Sequence, residues 1–235
     1  MPHLLDRPIW SALATRHAEF ALGNEVARRY PASIAPFVSS RDEGAASLDA
    51  LAELVRPDES VIILQVDDVL LPAELAAVST AAGVQMLLAR PPDRVSDDRV
   101  QRLTTADAAE MLALAELTRP GPFSLRALSL GNFWGVKRDG RLVAMAGERM
   151  KQPGYTELSG VCSHPQLQGQ GLGRLLSSFV TAEILARGDK PYLHAYATNT
   201  VAIELYKSIG FEIRTYVNVA VVRRAMPAHH GVPTS

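Results

Sequence analysis

The sequence predicts an α/β fold, an α+β mixed sheet in a principal domain preceded by a small α/β unit at the amino terminus. Three observations carry that prediction. Short apolar runs of strand length alternate with stretches of helical periodicity. The pair Asp139-Gly140 lies between two of those runs, a hairpin signal. A turn with alternating glycines then leads into a long apolar stripe at helical spacing.

In the first part of the chain, residues 61–66 and 84–88 are apolar runs flanked by turn or polar residues, and 72–82 reads as a helix with Pro72 in its first turn. Strand, helix and strand in that order predict a parallel pair. Arg90-Pro91-Pro92-Asp93-Arg94 continues neither a helix nor a central strand, because proline lacks the amide donor both require. A domain boundary is therefore placed near residue 94, giving units 1–94 and 95–224 and a loosely ordered tail over 225–235.

Beyond the boundary, Thr105 or Asp107 caps a helix whose apolar positions are Ala108, Met111, Leu112 and Ala115, and residues 118–122 stop it. Residues 133–136 and 142–146 form the hairpin around Asp139-Gly140, and 155–163 follows as a strand. Leu172, Leu175, Leu176, Phe179, Val180 and Ile184 make one helical stripe, terminated at Gly188. A strand over 192–197, a short helix through Ala202, Leu205, Tyr206 and Ile209, and a final strand over 211–222 complete the order.

Composition narrows the function classes. With 235 residues, 47% hydrophobic and 21% charged, the chain matches ordinary globular proteins. A net charge of -1 supplies no global field toward nucleic acid or anionic membranes, and no apolar run is long enough to span a bilayer. The single cysteine, Cys162, forms neither an internal disulfide nor a metal-thiolate cluster, so no metal is expected. A soluble, cytoplasmic protein is expected, without nucleic-acid or membrane partners and with dimerisation left open.

The chemistry centres on Gln168-Gly169-Gln170-Gly171-Leu172-Gly173-Arg174. Glycines reach positive φ and carry no Cβ, so successive amides can converge on one anion. The helix that follows adds unpaired N–H groups and the positive end of its dipole. No Ser, Thr, Asp or Asn stands close before the stripe to cap it, which leaves those donors for an external phosphate. Arg174 offers a charge-assisted contact. A dinucleotide fingerprint needs glycine where Arg174 stands, and a P-loop needs Gly-Lys followed by Ser or Thr; both are absent. Close helix packing is the other use for such glycines.

Val161-Cys162-Ser163-His164-Pro165-Gln166-Leu167-Gln168-Gly169-Gln170-Gly171-Leu172-Gly173, followed by NTVAIELYKSIGF at 199–211, resembles the two signature segments of the GNAT acyltransferase superfamily. The resemblance covers about 102–224. It implies a mixed sheet that splays open beside the 155–163 strand, with the pantetheine arm of acetyl-CoA lying in the gap. Backbone groups of Val161, Cys162 and Ser163 would meet the arm, residues Gln168 to Arg174 the pyrophosphate, and Asn199 the arm from the facing helix. The implied reaction moves an acetyl or small acyl group to a primary amine, on a small molecule or a peptide, by direct attack in a ternary complex. The alternative is a silent acyl-CoA-binding sensor or interaction module.

An alkylammonium with a pKa of about 10.4 must lose its proton before it attacks. Glu157 is the first candidate base, four residues before Val161 and, by two-residue alternation, expected on the same face. His194 on the neighbouring strand is the competing base. Tyr206, matching the family's tyrosine aimed at the coenzyme sulfur, is the candidate acid for the departing thiolate, although it also lies on the apolar stripe of its helix. Cys162 alternates away from Val161 and is expected to face the packed side. Phe133, Trp134 and Tyr155 could shape the acceptor pocket, although aromatic residues on strands are more often core, and the pocket is otherwise expected from residues 120–130, the hairpin and the amino-terminal unit.

Overall fold

In the computed structural model, which describes residues 3–92 and 96–225, the elements in chain order are α1 (Pro8–Ala14), β1 (Leu22–Gly23), β2 (Ala27–Arg29), β3 (Val38–Ser40), α2 (Ala45–Leu54), β4 (Val61–Gln65), β5 (Leu75–Leu88), β6 (Val100–Leu103), α3 (Ala108–Thr118), β7 (Phe133–Arg138), β8 (Arg141–Gln152), β9 (Tyr155–Ser163), α4 (Leu172–Ala186), β10 (Lys190–Tyr196), α5 (Thr200–Ser208) and β11 (Phe211–Arg224). Eight strands form one mixed sheet in the order β4-β11-β5-β10-β9-β8-β7-β6, and β1-β2-β3 form a second, smaller sheet. No helix among the described residues is long and apolar enough to cross a membrane.

Local sequence explains most of the principal elements. Asp139 and Gly140 both take positive φ, 49° and 76°, as a two-residue turn between twisted strands requires. Thr104, one residue before the expected cap, forms a capping box with Asp107 ahead of α3. On α3 the buried positions are Met111, Leu114 and Ala115; Leu112 is only half-buried. Leu172, Leu176, Val180 and Ile184 of α4 repeat every four residues and are buried against the sheet, each contributing about 1.5–3 kcal/mol. The helices α4 and α5 cover one face with Trp134, Ala144 and Leu158, while α3 covers the other with Phe133, Met145 and Cys162.

Two expectations for the first part of the chain are corrected. Residues 75–82 belong to strand β5, not to a helix over 72–82. Helix propensity there is only a weak preference, and antiparallel pairing with β11 from Leu75↔Arg224 to Phe211↔Leu88 satisfies the backbone instead. The expected parallel pair is absent as well, since β11 stands between β4 and β5 and pairs antiparallel with both.

The sheet also runs across the boundary placed near residue 94. Strand β5 lies between β10 and β11, and the core around α1 joins Ile9, Tyr30 and Phe37 to Leu130 and Met150. Of the proposed linker, Arg90 donates its amide to Gly210 O at 3.1 Å, as Ala89 just before it does at 2.9 Å, while Asp93 and Arg94 lie outside the described residues. The tail from Met226 onward, with His229 and His230, lies outside them too.

Candidate active site

Strands β9 and β10 run parallel but pair only from Tyr155↔Lys190 to Glu157↔Tyr192. Beyond that point they part. Strand β10 stays with β5 as far as Tyr196↔Gly83, and β9 stays with β8 as far as Ser163↔Ala144. The gap between them opens into a cleft of about 190 Å³ whose lining includes Val161, His194, Ala195, Asn199 and Tyr206. An unpaired strand edge facing such a gap is a template for another extended segment.

Inside the gap, β9 carries a bulge. Between the pairs Ser159↔Gly147 and Cys162↔Met145, both Gly160 and Val161 stand opposite Ala146 alone. Gly160 has φ +64°, and a Cβ there would lie 2.9 Å from Phe133 Cε1. The extra residue resets the alternation, so Val161 packs with Leu158 toward α4 and α5, on the face away from Glu157. The shared face expected for Glu157 and Val161 is thereby corrected. Cys162 points into the α3 core, where burial pushes its thiol up to about 11.

Glu157 is completely buried and does not line the cleft. Arg149 grips it with two bonds, Nε to Oε2 at 2.8 Å and Nη2 to Oε1 at 2.6 Å, and the Met150 amide donates to Oε2 at 3.2 Å. Burial alone would raise its pKa, but the charge and hydrogen bonds of Arg149, with those of His194, hold it down to about 2. A carboxylate so committed is a poor proton acceptor. Its fourth contact is His194 Nδ1, 2.8 Å from Oε1. His194 Nε2 lies 2.9 Å from Gln85 Nε2, and Gln85 also donates to Leu5 O at 2.8 Å and accepts from Arg214 Nε at 2.6 Å. Because Gln85 Nε2 can only donate, Nδ1 carries the imidazole proton and Nε2 is the basic nitrogen.

The glycine turn follows β9 through one short helical turn, Pro165–Leu167, whose start is capped by the His164 side chain. Gly169 and Gly171 have φ +77° and +78°, and no heavy atom lies within 4 Å of where either Cβ would stand. Conformation, not packing, requires glycine at both. Helix α4 begins with no side-chain cap, and among the described residues nothing accepts a hydrogen bond from any backbone N–H between Gly169 and Arg174. Gln168 is exposed at the start of this run, while Leu172 is buried and presents only its amide. Arg174 turns elsewhere, its Nη2 donating to Ser208 Oγ at 2.6 Å. Arg138 of the hairpin instead reaches the turn, with Nη2 2.7 Å from Gln170 Oε1. Beside the turn, Arg90, Gly171, Arg174 and Ser208 line a depression of about 550 Å³.

Tyr206 is nine-tenths buried yet lines the cleft, and burial, with the nearby Cys162, raises its hydroxyl to about 12. Asn199 caps α5, its Oδ1 accepting from the Ala202 amide at 3.1 Å, and also lines the cleft. Ser163 lies where β9 leaves the sheet.

A family model described as FR47-like protein matches residues 134–219. A crystal structure of a candidate acetyltransferase of the GNAT family, from Novosphingobium aromaticivorans, is 35% identical over 96% of this chain and 100% of that one, with a TM-score of 0.91. The chain belongs to the GNAT family. The GNAT fold recurs at lower identity in a GCN5-related N-acetyltransferase from Kribbella flavida, 14% identical over 92% of this chain and 95% of that one, TM-score 0.62. It recurs again in a GNAT-family acetyltransferase from Colwellia psychrerythraea, 16% identical over 63% of this chain and 58% of that one, TM-score 0.51. No curated protein matches in a sequence search.

Sequence reasoning missed several groups in this GNAT cleft. Arg149 and Gln85 carried no signal: Arg149 meets Glu157 across the turn between β8 and β9, and Gln85 meets His194 and Arg214 far away in the chain. Arg138 sits at a hairpin tip, where a cation reads as solvated. Gly160 did carry one, because glycine inside a strand marks a bulge. Phe133 and Trp134 are core as expected, whereas Pro120, Gly121 and Pro122 line the cleft.

Proposed function

We propose that this GNAT protein transfers an acetyl or small acyl group from acetyl-CoA to a primary amine by direct attack. One observation carries the reading: a run of unclaimed amides, from Gly169 to Arg174, opens the helix that follows the β9 edge of the gap, and that gap ends beside Tyr206. Residues and coenzyme fit. The amides and helix dipole suit a pyrophosphate, Arg138 adds charge, and the depression lined by Arg90 and Arg174 suits the nucleotide end. The open edge at Ser159, Gly160 and Val161 suits the amide-bearing arm.

The geometry supports the following roles. Glu157 fixes the His194 tautomer, so Nε2 takes the proton of the attacking amine after Gln85 gives way. The Val161 N–H, carried on the bulge beside the gap, would meet the oxygen on which negative charge develops. As the carbon–sulfur bond breaks, Tyr206 donates a hydrogen bond to the departing sulfur. A phenol raised to about 12 steadies a thiolate without surrendering its own proton.

Titration calorimetry with acetyl-CoA and thiol release across an amine panel test the reading. Gly171→Glu is expected to abolish coenzyme binding, because its side chain would enter the open space above the amides with like charge. Normal binding by that variant would overturn the placement of the phosphates. Tyr206→Phe is expected to lower kcat by roughly 10- to 100-fold, the worth of one hydrogen bond to a charged group, with coenzyme affinity little changed. Binding without amine-dependent thiol release would leave a coenzyme-binding module.

A further inference from the structure

The cleft does not end at the thioester position. Past His194 it continues against Phe37, Ile62 and Leu64 from the first part of the chain and Val217 and Val219 of β11, an apolar wall. Among the described residues, the only charged side chains on its lining are Arg119 and Arg149, joined by the titratable His194, and no Asp or Glu lines it. Arg119 makes no ion pair among the described residues, at the end of α3.

Arg149 is held in a fixed pose. Nε and Nη2 are bound to Glu157, the guanidinium carbon lies 4.9 Å from the centre of the Phe37 ring, and 14% of the side chain stays exposed. Its remaining arm, Nη1, has no acceptor among the described residues. The balancing charge is turned away, since Glu157 is wholly buried and shared with the Met150 amide and His194. A guanidinium with one free edge, pre-set beside an aromatic ring, matches a carboxylate.

We infer that the acceptor is an amino carboxylate with an apolar body, its carboxylate on the free edge of Arg149 with Arg119 nearby and its side chain against Phe37, Leu64 and Val219. This rests on the acetyl-transfer reading and names the acceptor class for the same site. A polyamine or a lysine-rich peptide meets no acidic partner in this cleft. The cationic surroundings also favour the neutral form of a bound amine, which is the nucleophilic form.

The test compares leucine and phenylalanine with leucinamide and phenylalaninamide, and with spermidine, as acceptors for acetyl-CoA. The amides have the more acidic ammonium groups, so intrinsic reactivity favours them. We expect kcat/KM for each free acid to exceed that of its amide by about ten-fold or more, with spermidine inactive. Arg119→Gln is expected to raise KM for leucine and narrow the acid-to-amide ratio, while KM for leucinamide stays within about two-fold; Arg149→Lys, which keeps a cation for Glu157 but loses the free guanidinium edge, is expected to narrow the same ratio. Amides or spermidine preferred by the unaltered protein would overturn the acceptor class and leave acetyl transfer standing. An unchanged ratio in both variants would overturn the assignment to these arginines. Thiol release with none of the panel would also overturn the acceptor class, and absent calorimetric binding of acetyl-CoA would remove the transfer reading with it.

Discussion

Glu157 shows how a residue picked out by position can serve through another group. Its offset before Val161 made it the first candidate base, but burial and Arg149 commit the carboxylate to a buried network, and its contact toward the cleft runs through His194. Glu157→Gln would leave the Arg149 charge without its counterion, so unfolding in urea is expected to show a loss of about 3 kcal/mol. The same pair sets an acid limit. The carboxyl is held near 2 against an ordinary 4.5, so its contribution to stability is complete above about pH 4.5 and is lost as pH falls from there toward 2. The glutamine variant should show a flatter acid limb in the same window. A sequence cannot show this network, because Gln85, Arg149, Glu157 and His194 meet only through tertiary pairing.

At the scale of elements, legibility followed the range of the interactions. The hairpin at Asp139-Gly140, strand β9, and helices α4 and α5 were readable because turn chemistry, period and caps are local. Strand β5 was misread because its strand state depends on β11, far away in sequence. The bulge in β9 lies between these cases, written in one glycine but given meaning by Phe133 beneath it. Gly160→Ala is expected to cost about 1–2 kcal/mol for a left-handed residue, with added crowding at Phe133, and to lower thiol release as the Val161 amide shifts. Gly171→Ala has the same backbone problem but open space around it. That variant should lose about 1–2 kcal/mol of stability and bind acetyl-CoA more weakly, both readable by calorimetry.

The whole molecule is tied together by one strand. Removing residues 1–94 would strip β4 and β5 from the sheet, separate β10 from β11, and take away Phe37, Ile62 and Leu64 from the cleft. A fragment beginning at residue 95 is therefore expected to be insoluble or to lack a cooperative thermal transition, whereas the full chain should unfold in one step. Proline punctuation near residue 91 suggested two units; pairing across it makes them one. That pairing also sets an order of events on the ribosome. Strand β5 emerges early, with both flanks bare, and must wait for β10 and then for β11 before its hydrogen bonds close. The cleft thus becomes complete only once β11 has been made, and a nascent chain stalled before residue 211 exposes an apolar ribbon that chaperones would have to shield.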